Sequence, residues 1–134
     1  MNIAIYGRKV TKSNAFYFKT ALDLIHKMGW NPILEVDLKE QIHKRAETFS
    51  SYRDLKGGID LAVSIGGDGT FLQTVKYVRD SGVPIIGVNM GRLGFLANFD
   101  IEHLEHTFEM IRLKKFEHQK RSLLRVESEG NLFN

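Results

Sequence analysis

The sequence contains no cysteine, only two prolines and a single tryptophan among its 134 residues. Without cysteine, neither a disulfide framework nor thiolate chemistry is available, and no redox compartment can be inferred. No apolar run is long enough to cross a bilayer, since the N-terminal run from Asn2 to Tyr6 ends directly at Gly7. We therefore expect a cytoplasmic protein that does not bind a membrane.

An excess of charge of one sign is also missing. The 19 Lys and Arg residues nearly balance the 16 Asp and Glu residues, which leaves a formal net charge of +3. There is no basic stripe with interleaved aromatic residues, so nucleic acid is not an expected partner, although the slight positive charge favours phosphorylated ligands. A hydrophobic content of 43% in a chain of this length predicts one globular domain with a modest core.

Several motifs of nucleotide and hydrolase chemistry are absent. No P-loop signature occurs, and the Gly-x-Gly-x-x-Gly fingerprint of dinucleotide-binding folds fails because Leu72 occupies the position of the third glycine. Ser64 precedes Gly66 but lacks the complete Gly-x-Ser-x-Gly pattern of a nucleophile elbow. His103 and His106 are flanked by acidic residues, which indicates a solvated helix face rather than a metal site.

The stretch that organises the chain runs from Asp60 to Leu72. It reads as a buried strand, the glycine-rich loop Gly66–Thr70 and then a helix. Such a loop lies at the carboxyl end of a strand, where open α/β sheets bind ligands. A carboxylate repels phosphate, so Asp68 is expected to face a hydroxyl group or a metal. The alternative is that Asp68 caps the helix beginning near Thr70 or Phe71, and the turn alone does not separate the two hypotheses.

The rest of the chain alternates between strand and helix patterns. Ser13 is the predicted N-cap of the first helix, Gly29 its end, and Asp100 the N-cap of the last helix. Residues 38–55 are predicted to be either helical or loosely ordered. The remaining predicted elements are strands at 2–6, 30–36, 83–89 and 121–127 and a helix at 70–80.

This order predicts an α/β fold with an open, mostly parallel sheet and helices on both faces. Right-handed crossovers put the Gly66–Thr70 loop and a second glycine loop, residues 90–95, at the same edge of the sheet. We assign residues 1–120 to this α/β domain. Residues 121–134 are predicted to be the first strand of, or the linker to, a truncated second domain.

Two motifs together carry a specific resemblance: Gly66-Gly67-Asp68-Gly69-Thr70, and Gly87-Val-Asn-Met-Gly-Arg-Leu-Gly-Phe-Leu96. The first motif is shared with diacylglycerol kinases and sphingosine kinases and, in a Gly-Gly-Asp-Gly-Ser form, with phosphofructokinases. The pair of motifs at this distance closely resembles the NAD kinase family. The resemblance covers essentially the whole chain. It implies that the chain is the N-terminal α/β part of such an enzyme, and that an all-β second domain is mostly missing.

The resemblance implies a reaction as well. A phosphoryl group passes from ATP, or in some members from polyphosphate, to the 2′-hydroxyl of the adenosine ribose of NAD, giving NADP. Mg²⁺ is expected to accompany ATP. Family members are commonly homodimers or homotetramers built through the second domain, so the same is expected of the full-length protein.

By the same resemblance, Asp68 matches the general base that accepts the proton of that hydroxyl. Gly69 matches the glycine that lets the dinucleotide lie against the backbone, and Phe95 matches an aromatic neighbour of the dinucleotide. Leu72 is a further candidate contact. Phe95 and Leu72 could instead belong to the core. Asn89 is a weaker candidate, either for ordering the second loop or for meeting phosphate.

The chain also departs from the family pattern. Arg92 is a further weak candidate for contacting phosphate, but Gln73 stands where many members carry a basic residue. The Asn-Glu or Asn-Asp pair that grips the ribose is absent, since Asn131 is followed by Leu132. The donor site and much of the acceptor site would lie in the missing half. We therefore predict that the 134 residues alone are inactive.

Three alternative functions remain at this point. The chain could belong to a lipid kinase of the same superfamily, which would not bind NAD. It could be a nucleotide-binding sensor that has the pocket without the chemistry, in which case Asp68→Asn would leave binding largely unchanged. It could also be an α/β scaffold whose glycines only form turns, which would show no saturable nucleotide binding.

Overall fold

The computed structural model describes residues 1–42, 45–92 and 94–125. Strands and helices alternate except at one point, where the third strand is followed directly by the fourth, and the predicted α/β fold class is confirmed. The elements are β1 Asn2–Gly7, α1 Ala15–Lys27, β2 Asn31–Glu35, α2 Val36–Ile42, β3 Glu47–Phe49, β4 Leu61–Gly66, α3 Asp68–Val78, β5 Ile85–Asn89, a 3₁₀ helix Ile101–His103 and α4 Leu104–Arg112.

The five strands form one sheet in the order β3-β2-β1-β4-β5, and every neighbouring pair is parallel. Gly7 at the end of β1 pairs with Ile65 near the end of β4. From β1 the chain proceeds to β2 and β3 on one side, whereas β4 and β5 lie on the other. All strands run in the same direction, but the side on which successive strands are added reverses between β1 and β4, and the carboxyl ends at this point are where such sheets bind ligands.

Helices cover both faces of the sheet, as predicted. On one face, the alternate strand residues Ile5, Val63 and Val88 pack with α1, α2 and α4, and Phe108 of α4 is fully buried beside Trp30. On the other face, α3 packs against the sheet and buries Val78. Because strand side chains alternate between faces, the near-continuous apolar strands supply both layers.

Helix α1 begins one residue later than predicted. Asn14 rather than Ser13 occupies the N-cap position, and it makes no side-chain capping bond. The Asn14 side chain instead bonds the backbone of the preceding loop, and Ser13 pairs with the Thr11 hydroxyl. The predicted end is confirmed: Gly29 has φ +72°, and the N–H groups of Gly29 and Trp30 close the last turn.

Residues 38–55 were the least well predicted segment. Val36 belongs to α2 rather than to the preceding strand, and α2 ends at Ile42. The sequence analysis missed β3, a three-residue edge strand that pairs with β2 and buries Phe49. Three residues are too few to give a period-two pattern, so only pairing with β2 defines this strand.

Two other boundaries shift. Helix α3 begins at Asp68 and ends at Val78, two residues before each predicted bound. Of the strand predicted at 121–127, residues 121–125 carry no regular secondary structure, and Val126 and Glu127 lie outside the described residues. No helix in the described ranges is both long and apolar enough to span a membrane.

Candidate active site

The two glycine motifs meet through the side chain of Asp68. This residue opens α3, and its carboxylate accepts hydrogen bonds from three successive backbone N–H groups of the second loop. Oδ2 lies 3.0 Å from the Phe95 nitrogen, and Oδ1 lies 2.9 Å from that of Leu96 and 3.0 Å from that of Ala97. The alternative in which Asp68 caps its own helix is therefore wrong, because its oxygens bind the neighbouring loop.

Two glycines, Gly94 in the second loop and Gly87 in β5 before it, make this contact possible. A Cβ added at Gly94 would overlap the Asp68 carboxylate, with the Asp68 Cγ only 2.8 Å away. A Cβ at Gly87 would lie 2.7 Å from both the Ala97 Cα and the Phe71 ring. Since real Cβ atoms do not approach this closely, both positions require glycine for the second loop to pack against α3.

The three backbone donors lower the pKa of Asp68, the N–H of Ala97 having the largest effect. A carboxylate oxygen can accept two hydrogen bonds. Oδ1 accepts two, but Oδ2 accepts only one from the described residues, so Oδ2 retains capacity for one more donor. The carboxylate is thus ionised at neutral pH and can still receive a substrate hydroxyl.

Three other predicted residues lie on α3 or in the second loop with the groups already described. Phe95 is 98% exposed and Leu72 is 55% exposed, so neither belongs to the core. Gly69 is also exposed, on the first turn of α3. Phe95, whose N–H binds Asp68, and Leu72, one turn along α3 from Asp68, therefore present exposed apolar side chains. Their roles as ligand contacts stay predictions.

Asn89 is buried at the end of β5 and contacts the chain that follows the loop. Its side-chain amide donates to the Phe99 carbonyl at 3.3 Å and to the Asp100 carboxylate at 3.1 Å. These bonds agree with the first of the two roles considered for Asn89, which is to order the second loop. Arg92 is exposed, and Leu93 lies outside the described residues.

The sequence analysis missed Arg8 as a site residue. It follows β1, and its Nη2 atom lies 3.3 Å from the point where a Gly69 Cβ would be. Arg8 also lines a pocket of about 430 Å³, together with Lys9, Gln73 and acidic residues at the end of β2. The sequence does contain a signal for this site: two basic residues, Arg8 and Lys9, directly follow Gly7, the glycine that ends β1.

Those acidic residues are Glu35 and Asp37. Glu35 is buried, and its Oε2 accepts the N–H groups of Asp37 at 2.9 Å and Leu38 at 3.1 Å, which caps α2. Burial raises the pKa of Glu35 despite these bonds. Burial likewise raises the pKa of Tyr77 across the same pocket. Asp37 is exposed.

Within the described ranges, no group of three or more His, Asp or Glu side chains is placed to hold a metal ion. Mg²⁺ in nucleotide sites is commonly held by phosphate oxygens with one or two carboxylates and water.

Residues 11–116 match the family model of the ATP-NAD kinase N-terminal domain. The chain belongs to the NAD kinase family. The matched range includes both glycine motifs and the two loops that Asp68 joins.

Curated NAD kinases match nearly the whole chain. The protein of Christiangramia forsetii is 37% identical over 134 residues, which covers 96% of this chain and 46% of the relative. That of Cytophaga hutchinsonii is 40% identical over 140 residues, covering 99% of this chain and 48% of the relative. The chain thus spans about half the length of the NAD kinases it matches.

A solved structure has the same fold. Yeast NADH kinase, determined as a complex with NADH, superposes with a TM-score of 0.67 over 85% of this chain and 38% of its own. At 24% identity this similarity supports the fold alone. The parallel sheet and its layers of helices are therefore an arrangement already seen in a solved structure.

Proposed function

We propose that this chain is the N-terminal half of an enzyme that phosphorylates NAD on the 2′-hydroxyl of its adenosine ribose. The observation that carries the proposal is the Asp68 carboxylate, held by three backbone N–H groups of the second glycine loop. Membership of the NAD kinase family supports the same reaction.

The chemistry needs a carboxylate that is ionised and fixed in position. Backbone donors keep Asp68 ionised, and Oδ2 can accept a further hydrogen bond from the ribose hydroxyl. In the transfer, the ribose oxygen forms a bond to the terminal phosphorus while its proton passes to Asp68. The bond from that phosphorus to the donor's bridging oxygen breaks, and the electron pair leaves with ADP or the shortened polyphosphate.

The surroundings of Asp68 support a dinucleotide acceptor. Gly69 has no side chain between the α3 backbone and a ligand, and the exposed Phe95 and Leu72 offer apolar surface for a base or nicotinamide ring. Mg²⁺, when bound with the donor phosphates, would neutralise charge on the transferred group. We further propose a homodimer or homotetramer for the full-length protein, on the family resemblance of the two motifs.

The relatives are about twice as long as this chain. We therefore propose that turnover requires a second, C-terminal part, which supplies the ribose-gripping pair and completes the donor site. The 134 residues alone are expected to be inactive.

The test is NADP formation from NAD, ATP and Mg²⁺ by the protein at its full natural length. Asp68→Asn should lower the rate at least about a hundredfold, as for a positioned general base. Asp54→Asn is the matched control, because Asp54 also accepts two backbone N–H groups, from Ser50 and Ser51, in a turn outside the site. It should leave the rate unchanged.

A full-length protein that binds NAD but forms no NADP with ATP or polyphosphate would be a nucleotide-binding sensor. Absence of NAD binding with activity on a diacylglycerol or sphingoid base would identify a lipid kinase. If the wild type and Asp68→Asn formed NADP at equal rates, the proposed reaction would still hold, but Asp68 would not be its general base.

A further inference from the structure

The connection between β5 and the 3₁₀ helix carries the three N–H groups that bind Asp68, and it is closed at its base. Where it starts, the Asn89 N–H donates to the Phe99 carbonyl at 3.0 Å. Where it ends, the Phe99 N–H donates to the Gly87 carbonyl at 3.0 Å, and Phe99 forms a parallel β-bridge with Val88. The connection therefore leaves the sheet and returns to it at one place.

A buried side-chain amide ties the two ends of this connection together. The Asn89 Nδ2 atom donates to the Phe99 carbonyl at 3.3 Å and to Oδ1 of Asp100 at 3.1 Å. A side-chain amide nitrogen carries two hydrogens, so both are used in these bonds. The Asp100 carboxylate thus supplies the second acceptor that a buried amide needs, at the point where the connection ends.

The Asp100 side chain does not have the role that its position in the chain predicts. Asp100 occupies the N-cap position of the 3₁₀ helix, but its side chain makes no capping hydrogen bond. Its Oδ1 accepts from Asn89 instead, and its Oδ2 lies 3.7 Å from the Nδ1 atom of His103. An aspartate at an N-cap normally accepts a backbone N–H of its own helix. Here the carboxylate is turned away from the helix and toward the base of the connection.

The donors to Asp68 lie close to this base along the chain. Ala97 precedes Asp100 by three residues, and its N–H donates to Oδ1 of Asp68 at 3.0 Å. This bond has the largest effect in lowering the pKa of Asp68. At the start of the connection, the Met90 N–H donates to the Gly66 carbonyl at 3.0 Å. Because Asp68 itself is fixed on α3, movement of the base displaces the N–H donors relative to the carboxylate.

We propose that Asp100 is a positioning residue for the phosphoryl transfer. Through the Asn89 amide it fixes the connection whose N–H groups orient the Asp68 carboxylate. A reacting group that is displaced by a fraction of an ångström transfers its proton less efficiently, so the supporting hydrogen bonds matter for the rate. This inference rests on the proposed function, and it adds a residue that lies outside both glycine motifs.

The first test measures NADP formation from NAD, ATP and Mg²⁺ by the full-length protein. Asp100→Ala should lower kcat about three- to tenfold, the value of one hydrogen bond, and change the KM for ATP less than about twofold. Asp100→Asn should restore most of the rate, since its side-chain oxygen can still accept from Asn89. Glu102→Ala is the matched control, because it removes an exposed carboxylate from the same 3₁₀ helix. It should leave kcat unchanged.

Hydrogen–deuterium exchange in the full-length protein separates this role from helix capping. In Asp100→Ala the amides of residues 95–97 should exchange about three- to tenfold faster, because the connection opens more often. The amides of residues 104–112 should exchange as in the wild type. If Asp100 only capped the helix, the faster exchange would be confined to the helical segment, and that result would overturn the proposal.

A second substitution tests whether Asp100 acts through Asp68. In the Asp68→Asn background, adding Asp100→Ala should change the residual kcat less than about twofold, because the carboxylate that the connection orients is gone. A further loss of about three- to tenfold in that background would show that Asp100 affects the rate by another route, and the proposed role would be wrong.

Exchange without turnover separates this proposal from the proposed function. If no donor yields NADP but Asp100→Ala speeds exchange at residues 95–97, the link between Asp100 and the Asp68 donors stands and the reaction does not. If NADP forms at a rate that depends on Asp68, while Asp100→Ala changes neither kcat nor this exchange, the role of Asp100 is wrong and the reaction stands.

Discussion

The contact between Gly94 and Asp68 makes a sharp prediction about stability. A methyl group at Gly94 would lie 3.0 Å from the Asp68 Oδ2 and 2.8 Å from Cγ, and closer still to Oδ1. To make room, the carboxylate must move away from the N–H groups of the second loop. Overpacking of this kind costs about 1–3 kcal/mol, and the lower chain entropy of alanine in the unfolded state recovers about 0.4–1 kcal/mol. Gly94→Ala should therefore lower the free energy of unfolding by about 1–2 kcal/mol.

Urea unfolding followed by the fluorescence of Trp30 measures this difference, since Trp30 is the single tryptophan and is buried against Phe108. Gly67→Ala is the matched control in the first loop. A Cβ at Gly67 meets no atom within 4 Å, and the residue has φ −115°. Its free energy of unfolding should change by less than about 1 kcal/mol.

A double-mutant cycle with Asp68→Ala identifies the cause. If the cost comes from the clash with the carboxylate, Gly94→Ala should be nearly neutral once that carboxylate is gone, with a coupling energy of about 1 kcal/mol or more. Additive effects of the two substitutions, or an unchanged stability of Gly94→Ala alone, would refute the reasoning.

Four further predictions follow from individual side chains. Phe108→Ala should cost about 3–5 kcal/mol in urea unfolding, because its ring is fully buried. Ser64→Ala should change that free energy by less than about 0.5 kcal/mol, since the buried Ser64 hydroxyl has no partner among the described residues. Phe95→Ala should weaken NAD binding in calorimetry and leave stability within about 0.5 kcal/mol, because the ring is 98% exposed. The folded-state pKa of Asp68 lies below its usual 3.8, so the stability that it contributes is present above that pH and lost as the pH falls through the folded value. Asp68→Asn should therefore flatten the acid limb of a stability profile measured from about pH 6 to about pH 2, and a profile as steep as that of the wild type would contradict this.

The fold could be predicted from the sequence because its signals are local. Apolar strands such as Leu61–Ile65, the glycine that ends α1 and the helical spacing of α4 each lie within one element. The alternation of predicted strands and helices then predicts a parallel sheet covered by helices. Where a local signal was too short, as in β3, or where two residues competed for one role, as Ser13 and Asn14 did, the prediction failed.

The candidate site, like the fold, could be predicted from the sequence only in part. The sequence by itself determined that two glycine loops meet at one sheet edge and that Asp68 stands in the first of them. Only the tertiary structure decided what Asp68 faces, because its three partners lie 27 to 29 residues away along the chain. The same holds for Arg8, which reaches Gly69 only because β1 and β4 are neighbours in the sheet. Contacts between distant segments depend on strand order and register. The pattern of apolar residues within a single segment therefore cannot predict them.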